Sequence, residues 1–197
     1  MKHNIHQGHD VLVTLAWGLP HPDERVEWEL WTNSNDQCGV KCDQQAQFIK
    51  DMAFTAKSLE QDGYTMFQPH YITWYCPPEY VELPECKGQC INNGRYCCPD
   101  PDEDITAGYS GSDVVLENLR QLCVWQQATD IQTPWLWWDY AVNFQDRCKM
   151  STGNYTKECA YDVIRGIDST WDFTTFEHCI GNDMLSMINT FDMPGGS

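Results

Sequence analysis

Positive charge is scarce in this chain: 12 Lys and Arg stand against 29 Asp and Glu, for a formal net charge of −17. Binding to nucleic acid requires clustered Lys and Arg to neutralise phosphates, and no basic run exists, so nucleic acid is excluded as a partner. Direct contact with an anionic membrane surface is disfavoured for the same reason. No stretch approaches the about 18 consecutive apolar residues of a membrane helix. The start, MKHNIHQGHDVLVTLAW, lacks the apolar core and small-residue cleavage site of a signal peptide. G-x-S-x-G, H-E-x-x-H and P-loop patterns are all missing, so no enzyme, cofactor or metal is expected. The acidity keeps an extracellular surface soluble, and it would draw in basic ligands or peptides.

Cysteine, by contrast, is plentiful. Of 11 in the chain, Cys76, Cys86, Cys90, Cys97 and Cys98 crowd into one short stretch, CPPEYVELPECKGQCINNGRYCCPDPDED. Pro77, Pro78, Pro84, Gly88, Asn92-Asn93-Gly94, Pro99 and Pro101 punctuate it, so no long regular element runs through. Such a segment buries little apolar surface and is held by cross-links or by zinc. Cys86-x3-Cys90 is the only zinc-type pair there and the histidines lie far off in sequence, which favours disulfides and an oxidising compartment. Secretion is thus demanded by the cysteines while no exporting segment is visible. An internal segment of a longer protein, or an incomplete gene model, reconciles the two.

Alternation predicts strands over 11–17 (VLVTLAW) and over 26–33 (VEWELWTN), the latter with Val26, Trp28 and Leu30 on one face. A helix follows from about Val40 to Gln61, with Phe48, Met52, Ala56 and Leu59 as its stripe and Ile49 and Ala53 beside it. Asp62-Gly63 ends it, and 69–75 (PHYITWY) reads as another strand. Strand, helix and strand at this spacing predict a βαβ unit with parallel strands. The remainder is helical. Ser112 or Asp113 is expected to cap a segment carrying Val115, Leu119 and Leu122, and Pro134 to open one carrying Trp137, Tyr140, Ala141, Phe144 and Cys148. Thr156 caps a helix with Cys159 and Val163 facing inward, a short piece carries Cys179, and 182–197 is expected to be a loose tail.

Four groups of side chains are candidates for chemistry. Cys38-Gly-Val-Lys-Cys42 lies where a strand gives way to a helix, a position that lowers thiol pKa. Redox pairs use C-x-x-C, however, and a Cys38–Cys42 bridge needs an irregular first turn, since i and i+4 Cβ atoms on a helix stand about 5–6 Å apart. Structural cystine is the favoured reading, with each cysteine pairing elsewhere as its variant. His3, His6 and His9 are spaced for one helix face, but Gly8 sits among them and solvated side chains explain them as well. In the cluster at 135–140, Trp137 and Tyr140 follow the core stripe, leaving Trp135 and Trp138 free as a contact surface for a ligand, with core packing as the plainer alternative. Asn154-Tyr155-Thr156 is the single N-glycosylation acceptor and fits a luminal loop.

The runs PHPDERVEWELWTNSNDQCGVKCD (20–43), GYTMFQPHYITWYCP (63–77), CINNGRYCCPDP (90–101), DVVLENLRQLCVWQ (113–126), PWLWWDYAVNFQDRC (134–148) and YTKECAYDVI (155–164) closely resemble the luminal region of plant and green-algal vacuolar sorting receptors. The resemblance implies an α+β fold, in which the βαβ unit is part of a thioredoxin-like core carrying a helical, disulfide-stapled, cysteine-rich insertion. It implies that 1–19 hold the closing strand of a protease-associated domain and a linker, and that 20–181 form the central cysteine-rich domain. Ten cysteines fit the family's framework: Cys38, Cys42, Cys76, Cys86, Cys90, Cys97, Cys123, Cys148, Cys159 and Cys179. Their pairing stays open, and Cys98 is the odd thiol, free or intermolecular. Such receptors resemble type I membrane proteins that carry soluble vacuolar hydrolases and storage proteins from Golgi-type compartments towards the prevacuole. They do so by binding sorting peptides, and they are not enzymes.

The leading expectation is a binding module that acts with the remaining domains of a longer receptor chain in the secretory lumen. Cargo release in acid would suit an interface around His21 or His70. An extracellular assembly protein of a wall, scale or flagellar surface, using Cys98 and exposed Trp residues for contacts, is the second reading. A thiol–disulfide oxidoreductase with a reactive Cys38 is the third.

Overall fold

A computed structural model describes residues 25–181. The strand expected within 1–19, His3, His6, His9 and His21, and the tail expected at 182–197 lie outside the described residues.

Strand β1, Val26–Thr32, pairs in parallel with β2, Thr65–Tyr71, with Val26 opposite Thr65 and Thr32 opposite Tyr71. Helix α1, Val40–Gln61, is the crossover that a parallel pair requires. It stops in a Schellman turn: Tyr64 N–H donates to the Leu59 carbonyl and Gly63 N–H to that of Glu60, with Gly63 at φ 75°. That turn is so tight that β2 begins at Thr65, not Pro69 as the sequence predicted, and ends at Tyr71 rather than Tyr75. Pro69 sits inside the strand because β2 has an open edge. The Phe67 carbonyl points away from β1 to accept the Trp125 indole N–H at 3.0 Å, and the missing N–H of Pro69 would point the same way.

The buried stripe of α1 is Ile49, Ala56 and Glu60, with Ala53 half-buried beside them, whereas Phe48 and Leu59 of the expected stripe are each 38% exposed. Spacings of 4, 3 and 4 put those four residues on one face, about one position round from the predicted one. At the other end Cys38 precedes the helix, and Gly39 at φ 70° folds the chain back so that Cys38 bonds Cys42. The irregular first turn demanded by that spacing is therefore present.

Beyond β2 come α2 (Pro84–Gln89) and a two-residue ribbon, β3 (Cys90–Ile91) with β4 (Tyr96–Cys97), closed by Asn92-Asn93-Gly94, all at positive φ. The helical half is α3 (Gly111–Asp130), α4 (Leu136–Arg147), α5 (Lys157–Ile167) and α6 (Phe173–Ile180). Ser110 caps α3, earlier than expected, and Asp113 completes a capping box by accepting from the Ser110 N–H at 2.8 Å. Pro134 and Trp135 supply the carbonyls of a tight entry turn, so α4 proper starts at Leu136. Thr156 caps α5 as read.

Helix α3 occupies the centre, packed against α2, β2, β3, β4, α4 and α6, and α4 is flanked by α1, α3 and α5. Three neighbours leave α4 no free arc on that side, and this corrects the reading of Trp138. It is fully buried, stacked on Trp28 at 5.7 Å and tilted against Phe67 at 4.7 Å, so it presents no contact surface. Trp137 fills the other side of the same seam, against Phe67 and with its indole N–H donated to the Tyr71 hydroxyl at 3.2 Å.

Five disulfides are formed: Cys38–Cys42, Cys76–Cys86, Cys90–Cys97, Cys123–Cys179 and Cys148–Cys159. Cys123–Cys179 spans 56 residues and ties α6 to α3; loop-closure entropy for that length is worth about 4 kcal/mol. Cys98 is free but fully buried, with the Asn33 and Asn118 side-chain amides donating to its sulfur at 3.6 and 3.5 Å. Burial pushes its thiol up to about 11, and of the two expectations for Cys98 the structure has the free, buried thiol.

Two outcomes are expected. Without reductant the native chain should show no titratable thiol, and one per chain after denaturation; a thiol reactive in the native state would contradict the pairing. A Cβ at Gly111 would stand 1.9 Å from the Cys98 carbonyl oxygen, so Gly111→Ala should cost about 1–3 kcal/mol in chemical denaturation. Gly88→Ala, with nothing within 4 Å of its added Cβ, should be neutral or mildly stabilising.

Candidate binding groove

Where the βαβ unit meets the helical half, an open groove of about 940 Å³ runs along the first residues of β1 and β2. Its walls come from five places. β1 contributes Glu27, Trp28 and Glu29, β2 contributes Met66 and Phe67, α3 contributes Trp125, and the turn before α4 contributes Pro134 and Trp135. Glu60, from the last turn of α1, completes the lining. Trp28, Trp125 and Trp135 are each half-buried, and Trp125 is held in one orientation by its bond to Phe67. Trp28 is likewise backed by Phe67 and Trp138, and indoles held in this way bind at little entropic cost.

Glu60 is the unusual member. It is 7% exposed, and neither carboxylate oxygen has a hydrogen-bond partner. Burial raises its pKa to about 7. The Phe67 amide and the Trp138 indole lie close enough to oppose that rise, yet neither reaches hydrogen-bond geometry, and Trp138 Nε1 is itself unpaired. The carboxyl also stands at the negative end of the α1 dipole, with no basic residue in that turn.

Of the residues singled out from sequence, only Trp135 lines this groove. Asn154 is exposed on the loop before α5, while Tyr155 of the same sequon is buried. His70 is buried under Trp31, ring centroids 4.5 Å apart, and its Nε2 is 3.5 Å from Glu29 Oε1 without hydrogen-bond geometry. Cys38 is exposed and Cys42 buried, on the far side of α1's first turn. Among the described residues no group of three His, Cys, Asp or Glu is arranged to hold a metal ion, and no helix is long and apolar enough to cross a membrane. Sequence reasoning missed Glu60, Trp28 and Trp125 as groove residues. A signal for Glu60 existed, since it shares the helical face of Ile49, Ala53 and Ala56.

A parallel βαβ unit joined to a disulfide-stapled helical half is the class of domain that comparison with known proteins identifies. Residues 26–191 match the family model described as the vacuolar sorting receptor thioredoxin-like domain, and the chain belongs to that family. It is 53% identical over 193 residues to Vacuolar-sorting receptor 3 of Arabidopsis thaliana, and 52% identical over 192 residues to Vacuolar-sorting receptor 1 of Pisum sativum. Each alignment covers 96% of this chain, which spans about 30% of the length of those relatives.

A second buried carboxyl matters for the protonation of the fold. Glu117 on α3 has no solvent exposure, and burial raises it to about 7 despite the neighbouring Arg120 and the Tyr140 and Gln121 bonds. Both Glu60 and Glu117 therefore hold a proton more tightly folded than unfolded, where the ordinary value is 4.5. Their stabilising contribution is full below about 4.5, declines as pH rises towards 7, and is level above that. The slope is at most about 1.4 kcal/mol per pH unit for each group, and less for Glu60, whose groove admits water. The melting temperature should fall between pH 5 and pH 7.5, and Glu60→Gln or Glu117→Gln should flatten the fall. A melting temperature that climbs over this interval would show that the two carboxyls are not buried as described.

Proposed function

We propose that this chain is a non-enzymatic luminal segment of a vacuolar-sorting-type receptor that supports binding of sorting peptides on soluble vacuolar cargo. It acts beside the remaining domains of a longer receptor chain, in the lumen between Golgi and prevacuole, with 20–181 as the central cysteine-rich domain and Asn154 available for glycosylation. The observation that carries the reading is the groove lined by Trp28, Trp125, Trp135 and Glu60 in a chain of this family. The five disulfides support an oxidising lumen. An extracellular lattice role has less support, because the buried Cys98 offers no sulfur to a neighbouring molecule.

Titration of a vacuolar sorting peptide onto the complete luminal region of a receptor carrying this segment tests the reading. Trp135→Ala should weaken binding roughly tenfold while the circular dichroism stays unchanged, as truncation of an aromatic contact does. Identical affinity in the variant would remove this segment from cargo binding. Repeating the titration at pH 5 should give weaker binding than at pH 7, because Glu60 of the groove, raised to about 7 by burial, loses its charge at the lower pH. Equal affinities at the two pH values would end the acid-release idea.

A further inference from the structure

The groove's chemistry narrows the class of side chain it accepts, an inference that rests on the peptide-binding reading above. Its acidic lining is Glu27, Glu29 and Glu60, and Arg25, the one basic lining residue among the described residues, already has an interaction of its own, as does Glu27. Glu29 accepts the Trp31 indole N–H at 3.2 Å and faces His70. Glu60 alone has no hydrogen bond: it is more than nine-tenths buried, unbonded at both oxygens although the Phe67 amide and Trp138 indole are near, and part of the groove lining. A buried polar group left unsatisfied costs about 1–3 kcal/mol, and more for a charged one, so it marks a place where a partner is missing.

Each kind of occupant can be weighed. An anion meets three glutamates and the negative end of α1. An apolar side chain covers the indoles and leaves the Glu60 carboxylate stranded. A planar cation satisfies both: it stacks on indole faces, and its N–H groups pair with a carboxylate in a fork. Guanidinium is planar, always charged and weakly hydrated, and so suits a part-dry aromatic site better than an ammonium does. The groove is at the upper end of the about 300–1,000 Å³ range of ligand pockets, large enough for a side chain together with its flanking backbone.

We propose that this groove seats an arginine side chain of a bound polypeptide, its guanidinium among the Trp28, Trp125 and Trp135 indoles and paired with Glu60. The charge of the whole chain, −17, brings such a segment in from a distance, and the buried carboxylate discriminates at contact.

The test uses the 197-residue chain with its disulfides intact, ¹⁵N-labelled, and two probes: acetyl-Ala-Arg-Ala-amide and the same peptide with citrulline, an uncharged shape mimic, in place of arginine. The arginine peptide should shift the indole N–H signals of Trp28, Trp125 and Trp135 saturably, with the citrulline peptide roughly tenfold weaker or worse. Glu60→Gln should bring the two peptides to equal affinity. Equal affinity on the unmutated chain, or shifts confined to other indoles, overturns the proposal, and that comparison decides even if the variant does not fold. A sorting peptide that binds the receptor while arginine selectivity is missing overturns the arginine assignment alone. Arginine selectivity without sorting-peptide binding overturns the receptor reading alone.

Discussion

Helix α3 has almost no face open to water, and the rest of the fold is arranged around that constraint. Thirteen of its 20 residues are buried, among them Glu117, Asn118, Arg120, Gln121 and Gln127, side chains that are seldom hidden without partners. Each therefore calls for polar partners, on α3 itself or on neighbouring elements, although Gln127 Oε1 is left without one. Glu117 takes a hydrogen bond from the Tyr140 hydroxyl of α4 at 2.9 Å and lies 3.4 Å from Arg120. Gln121 bridges Glu117 to the Tyr71 hydroxyl of β2, which in turn receives the Trp137 indole N–H. One chain of polar contacts thus registers three elements against each other. An apolar helix would slide in such a seam at little cost, whereas a slipped network strands a buried charge.

The cysteine-rich loops serve the same helix. They contain little regular structure, yet they end by laying the Cys98 carbonyl against the first residue of α3, so close that only glycine fits at 111. Asn118, further along α3, donates its side-chain N–H to the Cys98 sulfur, and its side-chain oxygen accepts the Ser34 N–H at 2.9 Å. Loop, helix and the segment after β1 meet there around a cysteine that forms no bridge. Its value is shape and a soft acceptor rather than reactivity. The Cys76–Cys86 and Cys90–Cys97 bonds hold the loop that delivers it.

How much of this was legible beforehand follows from how local each feature is. Helix α1 was readable to its ends because its stop signal, Asp62-Gly63, is written in two adjacent residues. The start of β2 was not, since Pro69 looks like a strand boundary until one knows that its N–H side faces the Trp125 edge. Trp138 was misread because a single-stripe pattern assumes one packing partner, while α4 has three. Disulfide pairing stayed open because spacing does not decide among many cysteines: Cys86 and Cys90, the one zinc-type pair, bond instead to Cys76 and Cys97. The groove was the least visible feature. Its five contributing segments are spread from β1 to the turn before α4, and only Trp135 stood out as an unassigned aromatic. Glu60 was visible in principle as an acid on an apolar stripe, a local inconsistency of the kind that gathers at binding sites.

A fold that buries two carboxyls with pKa values near 7 is working against its own stability at neutral pH. Each ionised carboxyl in a poorly solvated site subtracts stability that a Gln or Leu would keep, and natural domains have only about 5–15 kcal/mol in hand. The cross-links explain how that is tolerated. Cys123–Cys179 alone offsets about 4 kcal/mol of chain entropy, and the shorter loops add further constraint on the unfolded state. Glu117 has a structural return for its cost, because its network fixes register. Glu60 has no such network, for no donor bonds either of its carboxylate oxygens. A residue that weakens the protein without a structural return is best understood through what it does when the groove is filled.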